Sequence, residues 1–136
     1  MRYGVYLHIP FCRQKCGYCD FPSQAGQEAQ MEAYTTALCR EMTERAPSIA
    51  ARGRMATAYV GGGTPTALPV SLLSRVIQTM KDVLPMVPGA ELTVEVNPGT
   101  VDLEYFTALY TLGVTRLSIG AQSFEDPLLA RLGRIH

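Results

Sequence analysis

Two hydrophobic periods take turns along this chain, and that alternation restricts the fold more than any single motif does. Residues 2–8 (RYGVYLH) are rich in aromatic and β-branched side chains and stop before Pro10, which reads as a strand. Residues 27–46 carry Met31, Tyr34, Leu38 and Met42 at spacings of three and four, the pattern of an amphipathic helix. Residues 56–60 form a short apolar strand ended by Gly61. Ser71 is placed to cap a second helix with Leu73, Val76, Ile77, Met80 and Leu84 on one face. Residues 91–96 (ELTVEV) read as a third strand. Asp102 caps a third helix with Leu103, Phe106 and Leu109 inward and Gly113 as its stop. Residues 115–121 form a fourth strand, and Asp126-Pro127 opens a last helix. The order is βαβαβαβα, which implies a parallel sheet covered by helices, because parallel strands need crossover connections. Doubly wound and barrel arrangements both satisfy it.

The chain of 136 residues is long enough for one domain with a real core, and at 47% hydrophobic and 18% charged residues it is expected to fold. Twelve basic residues balance twelve acidic ones with no basic stripe, which argues against a nucleic-acid footprint. No apolar run approaches the roughly 18 residues of a membrane span. Residues 1–11 are apolar but interrupted by Arg2 and His8, with no small-residue cleavage site, so they are not read as a signal peptide and a cytoplasmic, reducing compartment is expected.

Every unusual residue follows a strand. The cysteines follow the first, Gly61-Gly62-Gly63-Thr64-Pro65 the second, Glu95, Asn97 and Pro98 close the third, and Gln122 and Ser123 the fourth. In parallel α/β folds the carboxyl ends of the strands share one rim, and sites are built there. Cys12, Cys16 and Cys19 have the spacing C-x3-C-x2-C, and thiolates are soft ligands suited to zinc or iron–sulfur centres. A structural zinc site usually closes with four protein ligands. Cys39 stands apart on a helix beside Leu38, as a small apolar side chain would. His8, at a strand end, suits local hydrogen bonding better than ligation. Three thiolates on a four-iron cubane leave one iron open to an exogenous molecule. Three consecutive glycines exceed what one turn needs and allow the backbone to approach a ligand, yet no Gly-Lys-Ser/Thr follows, which sets aside a nucleotide-phosphate cradle. Glu95 lies at the end of an apolar strand, where a carboxylate is costly unless paired. Gln122 and Arg134 carry little signal by themselves, and Arg134 alone reads as a surface arginine.

Tyr6-Leu7-His8-Ile9-Pro10-Phe11-Cys12 and Cys16-Gly17-Tyr18-Cys19-Asp20-Phe21 resemble the start of the radical S-adenosylmethionine (SAM) core. More narrowly they resemble the oxygen-independent coproporphyrinogen III oxidase-like family and its haem-chaperone branch. Gly61-Gly62-Gly63-Thr64-Pro65-Thr66, Glu95-Val96-Asn97-Pro98-Gly99, Ser118-Ile119-Gly120-Ala121-Gln122-Ser123-Phe124 and Leu132-Gly133-Arg134-Ile135-His136 look like later motifs of that family in the same order. The resemblance implies an α/β fold, a parallel (β/α) partial TIM-type barrel with about four βα units here. It also implies that residues 1–136 are the N-terminal part of a radical SAM core domain, truncated, with later strands and any C-terminal domain absent.

The resemblance further implies that Cys12, Cys16 and Cys19 bind three irons of a [4Fe–4S] cluster whose fourth iron chelates SAM. Tyr18 would lie near the adenine, and the backbone of Gly62, Gly63 and Thr64 would meet the methionine amino group. Tyr6, Glu95, Gln122 and Arg134 match further SAM-contacting positions, in some relatives of two SAM molecules. The implied reaction is reductive cleavage of SAM, with an electron donor such as a flavodoxin or ferredoxin. Haem or a porphyrin(ogen), and a haem-accepting protein, are implied as partners. True coproporphyrinogen oxidases look like C-x3-C-x2-C-x-C, but the last position here is Phe21, which points to the haem-chaperone branch. The rivals are oxidative decarboxylation of coproporphyrinogen III and a non-catalytic zinc domain.

Overall fold

The computed structural model describes residues 1–136. Four long strands, β1 (Arg2–Ile9), β4 (Arg54–Gly62), β5 (Met86–Val96) and β6 (Arg116–Ile119), form one parallel sheet in the order β1-β4-β5-β6. Between them run α1 (Met31–Ala50), α2 (Val70–Val83) and α3 (Leu103–Thr111), and α4 (Asp126–Arg131) follows β6. Each long strand lies beside its predecessor in sequence. That singly wound order is the order of a barrel wall and not of a doubly wound sheet, whose strand order reverses partway. A two-residue parallel ladder, β2 (Phe11–Cys12) with β3 (Gln24–Ala25), stands outside the four expected units and frames the cysteine loop.

The strand period of two separates the faces. Leu7, Ile9, Ala58, Val60, Leu92 and Val94 are buried beneath the helices, joined by Leu73, Val76, Ile77 and Met80 of α2 and by Met31 and Met42 of α1. The opposite, concave face is polar and lies in rows. Tyr6 is paired with Tyr59, Tyr59 with Thr93, and Thr93 with Arg116. One row nearer the carboxyl rim, His8 is paired with Gly61 and Glu95 with Ser118.

Several boundaries differ from the sequence reading, each for a local reason. Strand β4 begins at Arg54 and runs through Gly61 to Gly62, because the glycines still pair with His8 and Ile9 of β1. Strand β5 begins at Met86, ahead of residue 91, and β6 is shorter than residues 115–121. Helix α1 continues through Pro47 to Ala50, where Ile49 packs on the core. Ser71 does not cap α2. The helix starts at Val70 with Pro69 as its N-cap, the ring fixing the entry dihedral, and Ser71 is exposed.

Asp102 does cap α3, its carboxylate accepting from the Tyr105 amide at 2.8 Å, and Gly113 follows the C-cap with φ +84°. Leu103, read as inward, is 81% exposed. Leu109 is buried as read, Phe106 is only partly buried, and Tyr105 and Leu112 pack on the core in place of Leu103; the Tyr105 hydroxyl donates to the Leu68 carbonyl at 2.9 Å. Burial pushes the Tyr105 phenol upward, so it stays a donor. This placement separates two leucines on one helix. Leu109→Ala is expected to lower unfolding free energy by about 2–5 kcal/mol, and Leu103→Ala to change it by no more than about 0.5 kcal/mol, in chemical denaturation.

Candidate cofactor site

Backbone pairing between β1 and β4 continues past the last strand residues. The Gly63 amide donates to Ile9 O at 2.8 Å and the Thr64 amide to Phe11 O at 2.7 Å. This extended ladder sets the buried Cys12 against the glycine run, where its sulfur accepts from Thr64 Oγ1 at 3.7 Å. Cys16 and Cys19 lie on one turn closed by Cys19 N–H to Cys16 O at 3.1 Å, and both are partly exposed.

The loop that carries them is fastened at several points. Arg13 donates to Gly99 O at 3.1 Å and Thr100 O at 3.4 Å, and Gln14 to Gly133 O at 3.2 Å. Lys15 closes the loop on itself through Phe21 O at 3.0 Å and Ser23 O at 3.1 Å. The His8 Nε2–H donates to Pro22 O at 2.9 Å while its Nδ1 accepts from the Tyr6 hydroxyl at 3.0 Å. Both ring nitrogens are therefore in use, so His8 is a brace and not a fourth ligand.

A cavity of about 280 Å³ opens above the sheet rim. It gathers ten of the residues singled out from sequence: Cys12, Cys16, Cys19, Tyr18, Gly62, Gly63, Thr64, Glu95, Gln122 and Arg134. Tyr6 is outside the lining. It sits one row deeper on the concave face, its ring stacked on Tyr59 with centroids 6.2 Å apart. Cys39 is far from the cavity, between α1 and α2, where Thr79 Oγ1 donates to its sulfur at 3.4 Å.

Each glycine of the run makes room for a different neighbour. A Cβ on Gly61 would stand 2.7 Å from Tyr59 Cε1 and 3.0 Å from Glu95 Oε2. At Gly62, with φ +122°, it would meet the His8 ring and Ile9 O at 2.8 Å. At Gly63 it would meet Phe11 O at 2.6 Å and Cys12 Sγ at 2.9 Å. The Glu95 carboxylate is paired, as its depth requires: Tyr59 OH donates to Oε1 at 2.6 Å and Gly62 N–H to Oε2 at 3.1 Å.

Arg134 is no surface arginine. It is partly buried, donates to Gly120 O at 2.7 Å and to Asn97 Oδ1, and points Nη1 at Cys16 Sγ from 3.6 Å, with Nε buried and unpartnered. Burial, then the nearby Cys16, raises the Tyr18 phenol above its ordinary value, against a lowering by Arg134. Gln122 adopts φ +64°, a conformation uncommon outside glycine, at the turn after β6. Sequence reasoning passed over Tyr59, and it placed Asn97 on the rim without a role. Tyr59 could have been found from its place two residues before Gly61, in phase with the polar face.

The donor set is one that an iron–sulfur centre takes. Three soft thiols line one cavity, and a cubane spreads its ligands over separate irons.

The fold and the rim site define a cofactor-binding barrel-wall protein. The family described as the Radical SAM superfamily matches residues 6–136, and the chain belongs to that superfamily. Membership implies a [4Fe–4S] cluster and SAM. The chain is 41% identical over 135 residues to the haem chaperone HemW of Escherichia coli (strain K12), covering 98% of this chain and 35% of that protein. It is 35% identical over 132 residues to the oxygen-independent coproporphyrinogen III oxidase of Cereibacter sphaeroides, covering 96% of this chain and 29% of that protein. The solved structure of coproporphyrinogen III oxidase (HemN) from Escherichia coli, described as a radical SAM enzyme, superposes with a TM-score of 0.90 at 31% identity, over 98% of this chain and 31% of that one. The chain thus spans about one third of the length of the relatives it matches. No helix is long and apolar enough to cross a membrane.

The glycine geometry makes a direct test. Gly63→Ala is expected to destabilise the protein by about 1–3 kcal/mol and to reduce iron incorporation, because backbone and the Cys12 sulfur must move. Gly17→Ala, in the same loop with open space around it, is expected to stay within about 0.5 kcal/mol, as read by denaturation and iron analysis.

Proposed function

We propose that this chain is the cluster- and SAM-holding part of a radical SAM protein of the haem-chaperone branch. One observation carries the choice of branch: Cys12, Cys16 and Cys19 line the cavity, and two residues beyond Cys19 the lining is the 64% exposed ring of Phe21 and not a fourth thiol. The three thiols would hold three irons and leave one for the amino and carboxylate groups of SAM. When bound, the cluster supplies one electron to the sulfonium of SAM, whose cleavage yields methionine and a 5′-deoxyadenosyl radical.

This chain's own residues supply position and charge. The amides of Gly62, Gly63 and Thr64 are already spent on Glu95, Ile9 and Phe11. What the run offers a ligand is therefore carbonyl oxygen, an acceptor suited to the methionine ammonium. Arg134 brings a guanidinium to Cys16 and to the ligand's side of the cavity, where it offsets the negative charge of thiolates and of a carboxylate. Glu95 accepts hydrogen bonds from ligand hydroxyl or ammonium groups, and the half-exposed Tyr18 ring offers a face to the adenine. Gln122 closes the rim, and Tyr6 backs the site from one row deeper, stacked on Tyr59.

The wider reading includes haem as cargo passed to an accepting protein, a flavodoxin or ferredoxin as electron donor, and a cytoplasmic setting. The oxidase reading keeps the support of the fold likeness but lacks the extra cysteine. The zinc reading needs a fourth protein ligand, and His8 and Cys39 are both engaged elsewhere.

Anaerobic reconstitution is expected to give about four irons and four sulfides per chain with broad absorbance near about 400 nm. Cys12→Ala, Cys16→Ala and Cys19→Ala are each expected to remove most of that absorbance, and Cys39→Ala to leave it. Loss with Cys39→Ala but not with Cys19→Ala would refute the ligand assignment. The protein is also expected to bind haem without converting coproporphyrinogen III to protoporphyrinogen IX. Vinyl-group formation in the presence of SAM and reductant would restore the oxidase reading.

A further inference from the structure

Tyr59 lies outside the cavity lining and outside every motif that marks the site, yet it makes the shortest contact to the one carboxylate in the lining. Its hydroxyl is 2.6 Å from Glu95 Oε1, while the Gly62 amide holds Oε2 from 3.1 Å. With one donor on each oxygen, the carboxylate is fixed in both position and rotation. One lone pair on each oxygen is left for the cavity. The ring is itself held. It stacks on Tyr6 at an interplanar angle of 23°, and its edge would lie 2.7 Å from any Cβ at Gly61. Burial and the bond to Glu95 raise the Tyr59 phenol, so it remains protonated and able to donate.

We propose that Tyr59 is a positioning residue that orients the Glu95 carboxylate toward the hydrogen-bond donors of bound SAM. This rests on the reading of Glu95 as a SAM contact. Tyr59 touches no ligand; it acts through Glu95, and Gly61 is glycine because the pair needs the space a side chain would take.

A double-mutant cycle on the cluster-loaded protein tests both claims separately, with SAM affinity read from the change it causes in the reduced cluster's EPR spectrum. Iron content, read in parallel, is expected to stay at the wild-type value in Tyr59→Phe, and the melting temperature to fall by only a few degrees for the one hydrogen bond lost. Glu95→Gln is expected to weaken SAM binding about tenfold or more, and Tyr59→Phe about five- to tenfold. Added to Glu95→Gln, Tyr59→Phe is expected to cost less than about twofold further, because the group it positions has already lost its charge. An equal loss in both backgrounds means that Tyr59 acts structurally or independently, and an unchanged affinity in Tyr59→Phe means that it positions nothing; either overturns the proposal alone. Unchanged affinity in Glu95→Gln, or no binding of SAM to the loaded protein, overturns the reading of Glu95 and the proposal together.

Discussion

The site depends on the parallel pairing of β1 with β4 and its extension beyond both strands. Register within the sheet puts His8 beside Gly61 and Ile9 beside Gly62. Two further backbone bonds, from Gly63 to Ile9 and from Thr64 to Phe11, carry the same ladder onto the rim. Without them Cys12 would be tied only to its own loop, through the β2–β3 ladder. With them its sulfur is placed by the sheet, and Cys16 and Cys19 need only a short turn to reach the same cavity. The glycines make the extension possible, because side chains there would push the two backbones apart.

A second consequence of the sheet is the division of labour between its faces. The face under the helices is apolar and closed, and it supplies the cohesion. The concave face carries Tyr6, Tyr59, Thr93, Arg116, Glu95 and Ser118, which pack a protein interior poorly but line a binding surface well. Such a face is tolerated because its polar groups bond to one another: Tyr59 to Glu95, Tyr6 to His8 and Thr93 to Glu91. The polar, cavity-lining side and the apolar side that stabilises are thus opposite faces of the same strands.

Much of this was legible in the sequence, and the exceptions have physical causes. Element type and order follow from hydrophobic period, and the cysteine triad and glycine run were conspicuous at strand ends. Periodicity could not choose between barrel wall and doubly wound sheet, since both need βα units; strand order decides that. Local signals misled where a neighbour competed, as Pro69 did at Ser71, or where the apolar stripe began two residues later, as Tyr105 did for Leu103. Tyr59 was opaque, and Arg134 stood out only through the resemblance, because their roles are made by residues far away in sequence. The partners of Arg134 are Asn97, Gly120 and Cys16, and Tyr59 answers to a carboxylate 36 positions on.

The fastening of the cysteine loop also has a meaning in time. Arg13 reaches 86 and 87 positions along the chain for its acceptors, Gln14 reaches 119, and Cys16 meets a guanidinium 118 positions later. These closures are among the longest in sequence that the structure contains, and long-range contacts form late. The thiols are therefore synthesised before the residues that anchor their loop. Until residues 97–134 are in place, Cys16 and the loop that carries it lack these anchors.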